Sequence, residues 1–431
     1  MARVFRVLPA CRVLLKNFPV LIFAHPTGNA NVRHAALGLH RAGLLAEFWT
    51  SLSLSTPPLL QSLLPSRVIG QLRRRAYPAE LAPSIHTTPF REVIRLLAPR
   101  LGFHRLIRHE TGPFSVDAVY RALDRAVARR LATGKFRGVY AYEDGAAHSF
   151  VEARRRGICT LYDLPIGYWR AARTLLTEEA TRQPEWAGTL VGNHDSVAKT
   201  VRKDTELALA DVVFVASSYT RRTLSESPDF KGTVVMLPYG SPSPRPSLPL
   251  APRVRGGKLR VLFVGSLGQR KGLSYLFDAC RQVRSAVELT VIGRKPAETC
   301  AVLDRELARV RWIPSCSHQE ILRQMAAHDL LVFPSLFEGF GLVLLEALAM
   351  GLPVITTPHT AGPDLIRDGV EGFIVPIRDS IAIARCLELL HLEPARLAEM
   401  SEHARRRAGD FSWGNYEETL AACVGQALSR N

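Results

Sequence analysis

Residues Leu331–Thr357, L-V-F-P-S-L-F-E-G-F-G-L-V-L-L-E-A-L-A-M-G-L-P-V-I-T-T, decide how the chain is read. The apolar run Leu330–Phe333 predicts a short strand. Pro334, Gly339 and Gly341 predict a loop. From Gly341 or Leu342 a helix of strong formers follows, ending at Gly351 with Pro353 two residues on, and a second strand closes the unit. Glycines at 339 and 341 let backbone N–H groups approach a ligand closely. The helix N-terminus behind them carries about half a positive charge, so the loop suits an anion such as a diphosphate. Glu338 precedes the loop and Glu346 lies just past the first helical turn, where carboxylates reach sugar hydroxyls. The bland alternative is a helix-dipole glutamate and a partly exposed one in a buried crossover, and this segment alone leaves both open.

The run F-E-G-F-G-L-V-L-L-E-A-L-A-M-G-L-P-V-I resembles the E-x7-E segment of retaining GT-B glycosyltransferases, in particular glycosyltransferase family 4. The resemblance implies an α/β chain of GT-B architecture, two doubly wound Rossmann-like domains facing across a cleft. It implies no cofactor, a nucleotide-diphosphate sugar as donor substrate, and no obligatory metal; no Asp-x-Asp triplet occurs, in keeping with that. It places Glu346 on the ribose hydroxyls and Glu338 on the donor sugar. Gly339 and the backbone of Phe340, Gly341 and Leu342 would hold phosphate or sugar oxygens.

A second loop supplies charge. The strand Arg260–Val264 is followed by G-S-L-G-Q-R-K-G at 265–272. There Lys271 is a point charge and Arg270 a fork, both suited to a diphosphate leaving group. The loop resembles the family's G-R-x(4)-K-G pattern: Gly265 and Lys271 match, whereas Ser266 stands where the family has arginine. Arg270 either compensates or faces solvent. Arg294, after the strand Leu289–Ile292, falls by resemblance near the nucleotide base. Ser317–Glu320 is a capping box, with His318 a surface residue of its first turn.

In the N-terminal half, Val20–Ala24 reads as a strand, His25–Asn31 as a loop and Val32–Ala42 as a helix. Ligands of open α/β sheets sit at the carboxyl ends of strands. That places His25, Gly28 and Asn31 at a cleft, with His25 either bonding an acceptor hydroxyl, moving a proton, or merely closing its strand. Strands over Gly138–Tyr142 and Ile158–Tyr162 bring Glu143, Asp144 and Asp163 to the same edge as acceptor-binding groups or a base, although Asp-Gly is also ordinary turn chemistry. The histidine that many family members carry near Leu164–Pro165 is missing.

The expected organisation is a basic leader at 1–18, an acceptor-binding domain at 19–240, a proline-rich linker at 241–258, a nucleotide-sugar domain at 259–410, and a terminal helix at 411–431 crossing back. A chain of 431 residues, 47% hydrophobic, can bury more than one core. Its formal charge of +17 asks for an anionic partner, unless it only reflects arginine-rich composition. Zinc-finger and RNP-like patterns are absent, which argues against specific nucleic acid. Leu63–Arg75 and Arg95–Arg108 mix apolar residues with arginines, as helices on an anionic membrane surface do, or as solvated faces do. Seven scattered cysteines without a C-x-x-C pair signal neither a disulfide framework nor zinc, and point to a reducing, cytoplasmic setting, peripheral to the inner membrane face if the basic segments touch lipid. The expected activity is retaining transfer of a sugar to a saccharide or lipid-linked acceptor in cell-surface polysaccharide or glycolipid assembly. The alternatives are a GT-B-type epimerase or phosphorylase, and a non-catalytic basic scaffold.

Overall fold

Runs of apolar residues too continuous for a half-exposed sheet become strands buried on both faces, which parallel sheets require. Leu21–Ala24 and Leu330–Phe333 are buried at every position. The computed structural model describes residues 20–53, 75–190, 195–243 and 257–430. The expected leader, most of the proline-rich linker and all but the last residue of Leu63–Arg75 lie outside the described residues.

One sheet holds β1 (Leu21–Ala24), β2 (Leu45–Thr50), β3 (Ile85–Thr87), β4 (Gly138–Tyr142), β5 (Cys159–Leu164), β6 (Val212–Val215) and β7 (Thr233–Met236), in the order β3-β2-β1-β4-β5-β6-β7. The other holds β8 (Leu259–Val264), β9 (Val287–Ile292), β10 (Arg311–Ile313), β11 (Leu330–Phe333), β12 (Val354–Thr356) and β13 (Gly372–Ile374), in the order β10-β9-β8-β11-β12-β13. Each pairing is parallel. The strand order reverses between β1 and β4 in the first sheet and between β8 and β11 in the second, the two places where such sheets open a ligand crevice. β5 runs two residues beyond the sequence expectation because both neighbours still pair there, Tyr142 with Asp163 and Leu164 with Val215.

Two features join the halves. The helix Trp413–Arg430 returns to the first domain and packs on the helix Ala30–Arg41, where Glu417 pairs with His34 at 2.6 Å and Arg41 at 2.9 Å. Trp413 stacks on His34 with ring centroids 4.1 Å apart. On the other side, Glu179 of the helix Trp169–Arg182 is fully buried. Its carboxylate accepts hydrogen bonds from Gln269 Nε2 (2.7 Å), Tyr275 OH (2.9 Å) and Arg378 Nε (2.7 Å), all from the second domain.

A buried carboxylate with three donors from the opposite domain should act as a clasp. Glu179→Ala leaves Arg378 and Gln269 facing an empty acceptor and is expected to cost about 3 kcal/mol. Thermal unfolding should begin earlier and small-angle scattering should show a larger radius. An unchanged radius and midpoint would mean that the domains are held elsewhere.

Candidate active site

The switch point of the second sheet is built from two loops strapped together. Leu336 N–H donates to Arg270 O (2.8 Å) and Ser335 Oγ to the same carbonyl (3.2 Å), so the loop after β8 and the loop after β11 move as one. Gly341, at φ +86°, caps the helix Leu342–Ala349 in the left-handed region, where a side chain would be strained. Gly339 is demanded by contact instead: a Cβ there would lie 1.8 Å from Pro165 O of the first domain. Its own carbonyl accepts from Thr220 Oγ1 at 2.9 Å and from Ser217 Oγ. The E-G-F-G loop is therefore wedged between the two domains.

Charge converges on that wedge. The Glu338 carboxylate bonds Lys271 Nζ and lies 3.4 Å from Arg270 Nη1, which also donates to Phe337 O at 2.6 Å. Lys271 is buried, its ammonium 4.7 Å from the centre of the Phe333 ring. Burial pushes the Lys271 ammonium well below its ordinary value, with the adjacent Arg270 acting in the same direction; the Glu338 carboxylate against it opposes both. Burial alone pushes Arg270 down to about 10. Two cations share one carboxylate beside a helix N-terminus, so the site carries a surplus of positive potential suited to an anion.

Glu346 sits one turn into the helix, its side chain about 20% exposed. It pairs with His318 Nε2 at 2.8 Å. His318 opens the helix His318–Ala327, where Ser317 Oγ accepts Glu320 N–H at 3.1 Å as the capping box predicts. The sequence pattern showed the cap and not the partner, because the contact comes from two helices packing side by side. Hydrogen bonding to Glu346 raises His318 above its ordinary value, with burial opposing. Of the other predicted donor-side residues, Gly265 is half-buried, Ser266 and Arg294 are exposed, and Arg294 donates to Ser315 Oγ at 3.2 Å.

The first domain's wall differs from expectation. His25 is buried and its ring meets Tyr142 edge-on, centroids 4.6 Å apart. Burial pushes it down to about 4, the Thr27 backbone opposing, so the imidazole is neutral at physiological pH. Its Nδ1 contacts the Thr27 backbone, leaving Nε2 as the other ring nitrogen. Gly28 is buried in the same loop, and Asn31 Nδ2 donates to Tyr239 OH at 3.4 Å. Asp163 does not face open space as a strand-end acid would. Enclosed by the longer β5, it accepts from Tyr140 OH at 2.7 Å in a small cavity shared with Tyr239 and Tyr416. Burial pushes its carboxyl up to about 7, with the Tyr140 and Tyr142 hydroxyls opposing. Glu143 and Asp144 are also engaged: Lys203 lies 3.3 Å from Glu143, and Lys199 and Arg202 lie 3.5 and 3.6 Å from Asp144. Glu206, unremarked in the sequence, holds their turn by accepting Asp144 N–H (2.8 Å) and Ala146 N–H (3.1 Å).

Two doubly wound domains with a loop wedged between them define the GT-B fold. The chain is similar over nearly its whole length to solved structures of that architecture. One is sucrose-phosphate synthase from Thermosynechococcus elongatus, with a TM-score of 0.62, 17% identity and coverage of 95% of this chain and 99% of that one. Another is HepE of Anabaena in complex with UDP, with a TM-score of 0.61, 15% identity and coverage of 94% and 100%. Residues 258–392 match the family described as Glycosyl transferases group 1. Among curated relatives, the amylovoran biosynthesis glycosyltransferase AmsK of Erwinia amylovora is 34% identical over 142 residues, 30% of this chain and 35% of that protein. A D-inositol 3-phosphate glycosyltransferase of Streptomyces bingchenggensis is 30% identical over 165 residues, 36% of each chain. The match thus spans about a third of these relatives' length.

The His318–Glu346 pair has a pH signature. A histidine raised in the folded state contributes stability that is full below about 6.5 and is lost as pH rises through its higher folded value. Nuclear magnetic resonance titration should find His318 above that ordinary value, and Glu346→Gln should lower it again. A His318 titration indifferent to residue 346 would remove the pairing.

Proposed function

We propose that the chain is a retaining glycosyltransferase taking its sugar from a nucleotide-diphosphate donor. The observation that carries this reading is the convergence of Lys271, Arg270 and Glu338 at the capped N-terminus of the helix bearing Glu346. Lys271 and Arg270 neutralise the diphosphate as the glycosidic C–O bond breaks, and the backbone N–H groups of Phe340, Gly341 and Leu342 bind its oxygens. With that neutralisation done by the chain's own groups, the reaction is assigned no obligatory metal. Glu346, released from His318, accepts the ribose hydroxyls. Glu338 faces the donor sugar, where its negative charge stabilises the oxocarbenium-like transition state. The acceptor hydroxyl attacks from the face the leaving group departs, its proton passing to the departing phosphate oxygen, so configuration is retained. His25, neutral, offers Nε2 to the acceptor.

A relative named for amylovoran biosynthesis and the UDP complex of HepE support a UDP-sugar and a saccharide or lipid-linked acceptor of surface polysaccharide assembly. Among the described residues no helix is long and apolar enough to cross a membrane. A cytoplasmic position, peripheral to the inner membrane face, is the setting proposed.

A panel of UDP, GDP, ADP and dTDP sugars should separate donors by thermal stabilisation, since a ligand at about 100 times its Kd adds about 2.7 kcal/mol to native stability. Lys271→Ala and Glu346→Ala should stay folded yet lose transfer by about a hundredfold or more. Transfer at wild-type rate by both variants would overturn the assignment. Turnover of the donor without acceptor would favour an epimerase instead.

A further inference from the structure

We propose that the face carrying Phe90, Val93, Leu97, Leu101 and Phe103 docks on an anionic lipid surface. The helix Pro89–Leu97 is turned inside out relative to an ordinary surface helix. Its one carboxylate, Glu92, is 1% exposed and bonded by Arg75 (2.6 Å) and Arg95 (2.7 and 2.8 Å). Its apolar side chains point outward instead: Phe90 is 69% exposed, Val93 39% and Leu97 45%. Positions 90, 93 and 97 share one helical face. Leu101 and Phe103, 66% and 57% exposed, continue the apolar surface past the helix end. Single exposed apolar residues need no explanation, but a contiguous set with a buried glutamate behind it marks an interaction site.

The charge pattern selects the partner. Between Pro89 and Arg108 the sequence holds Arg91, Arg95, Arg100, Arg105 and Arg108, and Glu92 is the single acid. With Glu92 buried, the exposed surface of this stretch is apolar and cationic only, as in helices that lie in a lipid interface. Arg105 and Arg108 are exposed. Nucleic acid would use the arginines and leave the apolar side chains in water, whereas a lipid interface satisfies both. The chain's formal charge of +17 acts in the same sense at longer range.

The position suits an enzyme that meets a lipid-linked acceptor. The helix follows β3 at the carboxyl edge of the first sheet, the edge that also carries His25. It packs on the helix Val116–Thr133, whose Tyr120 ring lies 6.0 Å from the His25 ring. Docking here would bring the lipid plane to the acceptor mouth of the cleft. This deepens the acceptor proposed above, but its test needs no donor.

The test uses the full chain in flotation with phosphatidylcholine vesicles and with vesicles that also contain phosphatidylglycerol. The wild type should bind the anionic vesicles, bind the neutral ones poorly, and be released by salt. A Phe90→Ser, Leu97→Ser, Leu101→Ser variant should keep its melting temperature, because these side chains are exposed, and lose vesicle binding by about tenfold or more. Arg105→Gln with Arg108→Gln should lose about fivefold per residue. Wild-type vesicle binding by the serine variant overturns the proposal, as does a wild type that binds no vesicles. A wild-type dimer that the serine substitutions split, without vesicle binding, assigns the face to a second copy and overturns it too. Donor-induced thermal stabilisation, measured in parallel, reports on the transferase reading separately: its loss in the wild type would strike that reading and leave the vesicle result standing.

Discussion

The bond between Lys271 and Glu338 is the constraint on which the cleft depends. An ammonium with 8% of its surface exposed is tolerable only with a carboxylate against it and carbonyls around it. The two partners come from different loops, after β8 and after β11, and they can meet only because β8 and β11 are neighbours across the switch point. Arg270 adds a second cation that Glu338 does not fully compensate. The unbalanced charge is what gives the site its preference for an anion, and the strapping of Leu336 and Ser335 to the Arg270 carbonyl holds it in place before any ligand arrives.

That same loop positions the domains. Gly339 touches Pro165 and gives its carbonyl to Ser217 and Thr220, so the segment bearing Glu338 is held from both sides. Tyr219 stacks on His359 at 4.6 Å, and His359 O in turn accepts Glu338 N–H at 3.1 Å. Any change in the angle between the domains must alter these contacts, and with them the setting of Glu338. Glu179 clasps the far side through Gln269, which sits next to Arg270 in sequence. Domain closure and charge placement are therefore properties of one connected set of residues.

How much of this was legible in the sequence differs between the halves for a physical reason. The second domain's site lies on consecutive residues, 265–272 and 338–346, so strand, glycine loop and helix could be read directly and the charged residues located within them. His318 escaped because its contact with Glu346 is made across two helices, and a capping box says where a helix starts without saying what its first turn faces. In the first domain, Glu143, Asp144 and Asp163 looked like free strand-end acids. Their partners Lys203, Lys199, Arg202 and Tyr140 come from segments distant in sequence or from the neighbouring strand, and no local pattern announces them. The inverted helix at Pro89–Leu97 was visible as an arginine-rich amphipathic stretch, but which face looks outward was settled only by Glu92 finding Arg75.

The two walls of the cleft follow opposite electrostatic rules. The second domain leaves cationic charge uncompensated at its switch point. The first neutralises what it has: His25 is held neutral, Asp163 is raised to about 7 and hydrogen-bonded to Tyr140, and Glu143 and Asp144 are matched by lysine and arginine. A charged acceptor would find no unpaired counter-charge among these groups, whereas hydroxyls would find the neutral His25 ring and the side chain of Asn31. A wall of this kind discriminates by shape and hydrogen bonding, because a buried polar group left unmatched costs more than a matched one contributes. The division gives each domain a separate task. Charge on one side orients a diphosphate, and a neutral pocket on the other admits an uncharged hydroxyl whose proton need not be lost until the phosphate beside it departs.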